Sequence, residues 1–160
     1  MLVLPFRASS QTSITQAEAI FLFNFTKMVE WPLEYQHNEF VVGVCGNQEA
    51  FETIHKYFQG KNVGSQPVKV IFYQFAENVG KCHMLFVSFG KSNDLTTIKG
   101  RVGSNKTLIV SERTGALKEG AVINFVVLED KLKFELNTQN ASKYGLKILS
   151  ELKNMATKNN

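Results

Sequence analysis

The chain has 160 residues, 44% hydrophobic and 20% charged, and a formal net charge of +4. That is enough apolar material for one globular core, and it excludes disordered, fibrous and low-complexity classes. Thirteen of the 18 basic residues fall in the second half, but they are scattered with no basic run and no aromatic-basic interleaving, so nucleic acid is not an expected partner.

The first eleven residues, MLVLPFRASSQ, read as the tail of a secretory signal peptide. An apolar remnant precedes Ala8 and Ser10, which stand at −3 and −1 of a cut before Gln11, while the basic leading region is missing. Residues 1–10 are therefore expected to be a residual signal, and residues 11–160 a single exported domain. A helix is expected over residues 15–32, opened by the capping box Thr15-x-x-Glu18 and stopped by Trp31-Pro32. Ala17, Phe21, Leu22, Phe25, Met28 and Val29 share its core side. Ile20 and Phe23 fall opposite, in line with Lys27, so the helix has two apolar faces. It is either sandwiched between layers or docked on a partner.

Residues 39–45 (EFVVGVC) are a β-branched strand, with Gly46-Asn47 as turn and cap. Residues 49–59 are a helix with Ala50, Phe51, Ile54, Tyr57 and Phe58 on one side. A turn-rich stretch leads to a strand at 67–73 whose leading proline suggests an edge or a strand start. A short link precedes the most apolar strand, 82–88 (CHMLFVS), expected at the centre. A helix at 93–101 and a strand at 106–111 follow. Continuous apolar strands alternating with helices indicate a parallel sheet covered on both faces. Residues 121–128 and 131–137, separated by Glu129-Asp130, are an antiparallel hairpin expected at the sheet edge. A single helix is expected over residues 139–157, with Gly145 tolerated by close approach of a neighbour. The expected fold class is α/β: a layered sandwich with a mostly parallel sheet of about six strands, an antiparallel C-terminal hairpin at one edge, and helices on both faces.

Catalytic templates are missing. There is no GxGxxG, P-loop or GxSxG, and His37, His55 and His83 stand alone, without metal-ligand spacing. Cys82 and His83 adjoin in a strand and so point to opposite faces. Neither an enzyme, a cofactor nor a metal is expected. The loops at the strand carboxyl ends offer a ligand crevice, in which Asn47, Lys91, Ser92 and Arg113 would hold an anion such as a nucleotide or amino acid. Glu135, Asn137 and Lys143 offer a polar rim where the hairpin enters the last helix, although Asn137 or Thr138 serving as a helix cap accounts for part of it.

The landmarks NFTKMVEWP, GKNVGSQPVKV, GKCHMLFVS, INFVVLEDKLKFELN and YGLKILSEL, in this order, resemble the YfiR/HmsC-like family of exported bacterial regulators. The similarity runs over residues 14–155. It implies a periplasmic, non-enzymatic α/β protein that tends to dimerise. It also implies a membrane-anchored partner: the sensor domain of a diguanylate cyclase, held inactive so that cyclic di-GMP falls and biofilm formation is restrained. Ile20, Phe23, Lys27 and Trp31 are the expected partner or dimer surface, apolar anchors beside a cation. The chain departs from the family in its cysteines. Gly43 stands where a cysteine is frequent, Cys45 lies two residues on, Cys82 matches, and a second pair near INF is missing. Cys45 ends its strand and Cys82 begins its own, a stagger too long for a disulfide, so two free thiols are expected.

Overall fold

The computed structural model describes residues 8–90 and 94–160, with side chains described from Ser13 onward. Lys91 and Ser92 lie outside the described residues. In chain order the elements are helix α1 (Ala8–Met28), β1 (Val29–Glu30), β2 (Phe40–Cys45), α2 (Gln48–Phe58), β3 (Asn62–Val63), β4 (Gln66–Tyr73), β5 (Met84–Val87), α3 (Leu95–Val102) and β6 (Leu108–Ser111). Then come β7 (Ile123–Leu128), β8 (Lys131–Leu136), α4 (Thr138–Lys143), β9 (Lys147–Ile148), α5 (Ser150–Met155) and β10 (Lys158–Asn159). The sheet order is β10-β8-β7-β6-β5-β2-β4-β3. Strands β4, β2, β5, β6 and β7 are mutually parallel, and β8 turns back antiparallel on β7. The expected fold class holds, and β5 is central as its composition requires. The order reverses between β2 and β5, which makes the carboxyl ends of those two strands the switch point of the sheet.

Two apolar layers flank the sheet. On one face Phe40, Val42, Val44, Met84 and Phe86 meet α1, α2 and α5. On the other, Leu85, Val87 and Ile109 meet Leu95, Ile98 and Val102 of α3. Helix α1 is the sandwiched element. Phe25 packs its ring 5.0 Å from Phe134 and 5.8 Å from Phe125 of the hairpin, while Phe23, on the other side, lies 5.5 Å from Phe58 of α2.

Four expectations change. Helix α1 starts at Ala8 rather than at a cap on Thr15, so Thr15 and Glu18 are interior and buried. Nothing between residues 8 and 15 breaks a helix, and once nucleated it propagates through such a stretch. The single C-terminal helix is two short ones, because Gly145 adopts φ +70 and ends the first turn-and-a-half instead of continuing it. The freed backbone of Lys147 and Ile148 then pairs with Val29 and Glu30 after α1. The hairpin is not quite the edge either, since β10 adds two residues in parallel beside β8. Finally, the turn-rich stretch before β4 contains β3, which folds back on Gln66 and Pro67.

The hairpin is built for its role. Glu129 and Asp130 both take positive φ, 52° and 60°, as a two-residue primed turn requires. Only Ile123 and Asn124 of β7 pair with β6, so Phe125–Leu128 and their β8 partners overhang the end of the sheet.

Candidate functional site

Three surfaces carry the residues singled out in the sequence. The first is the outer side of α1 against α2. Ile20 is 46% exposed, Phe23 is half-buried, and Lys27 sits over the Phe23 ring at 4.4 Å. Lys61 lies over the Tyr57 ring at 4.6 Å. Ile20, Tyr57, Lys56 and Lys61 line a groove of about 560 Å³ between the two helices. Apolar surface is thus framed by cations held on aromatic faces.

Trp31 does not belong to this surface. It is 6% exposed, and its indole N–H donates to the carbonyls of His83 at 3.1 Å and Lys106 at 3.0 Å. Its ring stands edge-on to Phe40 at 5.0 Å. The chain turns inward after Met28, so Trp31 locks the exit of α1 onto the amino ends of β5 and β6 and offers a partner nothing. His83 is likewise a core residue. Its Nδ1 accepts the Val41 N–H at 3.1 Å, which leaves Nε2 to donate to the Tyr35 carbonyl at 2.7 Å. Burial lowers its pKa despite that second bond, and Lys81 adds to the lowering.

The second surface is the crevice at the strand carboxyl ends. The Asn47 side chain caps α2 by accepting from Ala50 N–H at 2.9 Å, and its own N–H donates to Ser88 Oγ, also at 2.9 Å. Ser88 in turn donates to the Cys45 carbonyl at 2.9 Å, which stitches β2 to β5 at the switch point. Arg113 forms an ion pair with Glu119, while its chain neighbours Glu112 and Thr114 line the crevice. Among the described residues the charged side chains facing the crevice are acidic: Glu18 from α1 and Glu112 from the loop after β6. Burial, then the hydrogen bond that its protonated form donates to Glu112 and the Glu112 charge, push the Glu18 carboxyl up to about 10. The sequence did carry a signal for this. Glu18, Leu22 and Phe25 have the i, i+4, i+7 spacing of one helix side, so a carboxylate stands in the core stripe.

The third surface is the polar rim. Asn137 caps α4 by accepting from Asn140 N–H at 2.8 Å, and Lys143 closes that helix in its last turn. Glu135 is half-buried on β8 opposite Asn124. Asn124 is fully buried, and its side-chain nitrogen and oxygen have no hydrogen-bond partner among the described residues.

Neither cysteine is in a disulfide, and both are buried. Cys45 pairs in register with Val87, five residues along from Cys82, a stagger of about 16 Å at ~3.3 Å per residue. Burial raises the Cys82 thiol to about 12, against weaker opposing bonds to Gly43 and Thr107. Among the described residues no group of His, Cys, Asp or Glu could hold a metal ion, and no helix is long and apolar enough to cross a membrane.

The model of the YfiR/HmsC-like family matches residues 15–157. The chain belongs to the YfiR/HmsC-like family. Members are periplasmic regulators and generally not enzymes. No curated protein matches. A solved structure with a similar fold is the crystal structure of a conserved domain protein from Vibrio cholerae O1 biovar eltor str. N16961, at TM-score 0.62 and 11% identity. The match covers 91% of this chain and 60% of that one, so this YfiR/HmsC-like chain spans less than two thirds of the other's length. At that identity the likeness speaks for the fold alone. It agrees with the layered sheet described above.

Proposed function

We propose that this YfiR/HmsC-like protein is a periplasmic regulator that binds and restrains a membrane-anchored signalling protein, the sensor domain of a diguanylate cyclase. Residues 1–10 are then the remnant of its export signal and residues 11–160 the regulatory domain. The observation that carries this reading is the α1–α2 face. Ile20 is a large apolar side chain left in water beside Phe23 and Tyr57, within a ring of Lys27, Lys56 and Lys61. An apolar centre with a cationic rim suits a partner that presents an apolar anchor among carboxylates. The catalytic motifs sought in the sequence are absent, and membership in a family of regulators supports the same reading.

The test is Ile20→Asp. Ile20 is exposed, so the fold should survive the change. Binding of the purified variant to the cyclase sensor domain should weaken at least tenfold, and cyclase output in cells should rise. Wild-type affinity in the variant would remove this face from the interface. Phe23→Asp is a poorer probe, because that ring is also packed on Phe58. Light scattering of the wild type and of Ile20→Asp distinguishes the other occupant, a second copy of the chain, since a dimer on this face would dissociate in the variant.

A further inference from the structure

The acidic crevice lies on a different part of the molecule from the α1–α2 groove and is not needed for the regulator reading. It is a cleft of about 600 Å³, within the range of small-ligand sites. The overhanging hairpin forms one wall with Phe125 and Val127, α1 forms another with Ile14, and Phe89 from the loop after β5 stands at the rim, 74% exposed. It opens at the switch point, where the loops after β2 and β5 diverge. Its polar base is the Glu18–Glu112 pair. Glu18 is 2% exposed, sits on the core side of a helix, and has no cationic partner among the described residues. A carboxyl in that position is usually matched by a positive charge or replaced by an apolar residue. The Phe89 N–H donates to Glu112, which fixes the second carboxyl at the cleft.

We infer that this cleft binds a small amphipathic ammonium: a protonated amine on an apolar or aromatic body. The ammonium N–H groups would be received by Glu18 and Glu112, and the body would lie along Phe125, Val127 and Phe89. The pattern is two acceptors at the closed end and apolar walls towards the mouth. Among the described residues an anion would meet no cation there, only Glu112 and the protonated Glu18. A wholly apolar ligand would leave the buried Glu18 carboxyl with nothing beyond its hydrogen bond to Glu112.

Proton balance gives the site a signature. In the free protein Glu18 holds its proton. The ammonium arrives already charged, so Glu18–COOH gives up its proton to solvent as the ion pair forms. Binding therefore releases about one proton, and affinity rises up to ~tenfold per pH unit while Glu18 is protonated in the free state and the amine is charged. Glu18 and Glu112 are the titratable groups among the described cleft residues.

The experiment is calorimetry with phenethylamine, using 2-phenylethanol and 3-phenylpropionate as neutral and anionic counterparts, at ~pH 6 and ~pH 8. Phenethylamine should bind at least tenfold tighter at the higher pH, with proton release seen as a dependence of the heat on buffer. The two counterparts should bind at least tenfold more weakly at pH ~8. Glu18→Gln should abolish the pH dependence and weaken binding, and Glu112→Gln should weaken it in a folded protein. The inference is overturned if phenethylamine does not bind, if 2-phenylethanol binds equally well, or if either variant binds like the wild type. Ile20→Asp should leave amine binding unchanged, so failure at this cleft and failure of the regulator reading are separate results.

Discussion

The indole of Trp31 donates to the main-chain carbonyl of His83, 3.1 Å away, while the ring of His83 reaches Tyr35 and Val41. One aromatic cluster thus joins the exit of α1 to the amino ends of β2 and β5. Trp31→Phe removes the indole donor and part of a tightly enclosed ring. It should cost about 2 kcal/mol in urea denaturation. The folded variant should bind a partner as the wild type does. Weakened binding without lost stability would return Trp31 to the interface and contradict its burial.

The pH dependence of stability should be set by Glu18 and His83 acting in opposite directions. Glu18 has a folded pKa raised from 4.5 to about 10, chiefly by burial, so its contribution is fully present below its unfolded value and is lost as pH rises towards 10. His83 has a lowered folded pKa, so its contribution is present above its unfolded value near 6.5 and is lost as pH falls. Between about pH 4.5 and 6.5 the two slopes oppose each other. From there to about pH 9, where the raised Cys82 thiol begins to add to it, the Glu18 slope remains, and stability should fall by about 1.4 kcal/mol per pH unit. Chemical denaturation at several pH values checks this. Glu18→Gln should flatten the alkaline side and be the more stable protein at pH ~8. An unchanged alkaline slope in that variant would show that Glu18 is not the titrating group.

Gly145 gives a prediction whose sign separates two conformations. In a continuous helix, replacing glycine by alanine stabilises by about 1 kcal/mol. Here φ is +70, and a Cβ would stand 3.0 Å from the Lys106 side chain. Gly145→Ala should therefore destabilise, by about 1 kcal/mol or more, since left-handed backbone disfavours a side chain. A stabilised variant in thermal melts would mean that α4 and α5 are one helix after all.

That residue also shows where the sequence ran short. The apolar spacing of Ala141, Ile148 and Leu152 continues straight through Gly145, so periodicity alone reads one helix. The break depends on β9 pairing with β1, two residues each, too short for any pattern to register. Strands β2, β5 and β6 were legible because buried parallel strands are unbroken apolar runs, and the hairpin was legible because β8 alternates. The cleft was half legible. Glu18 stands out in the core stripe of α1, but it also completes the pattern of a capping box, which hides it. Its partner Glu112 is brought near only by sheet order, which no local spacing encodes. The described lining of the crevice is acidic for the same reason, while Lys91 and Ser92, half of the expected anion site, lie outside the described residues. Asn47 is engaged as a cap and Arg113 as the partner of Glu119, while the carboxyls come from elsewhere.

The thiols should be inert in the folded protein. Cys45 and Cys82 are both buried and unbridged, and burial lifts Cys82 to about 12, so almost none of it is thiolate at pH 8. Native protein treated with a thiol reagent at pH ~8 should remain unlabelled for hours, and in denaturant both cysteines should react at once. Intact mass should be identical with and without reductant. A native mass lower by two hydrogens would require Cys45 and Cys82 to meet across about 16 Å of strand stagger, which only a rearranged sheet permits. Labelling under native conditions that is as fast as in denaturant would instead mean that the layer holding Val87, Ile109 and Cys82 opens readily, contrary to its complete enclosure beneath α3.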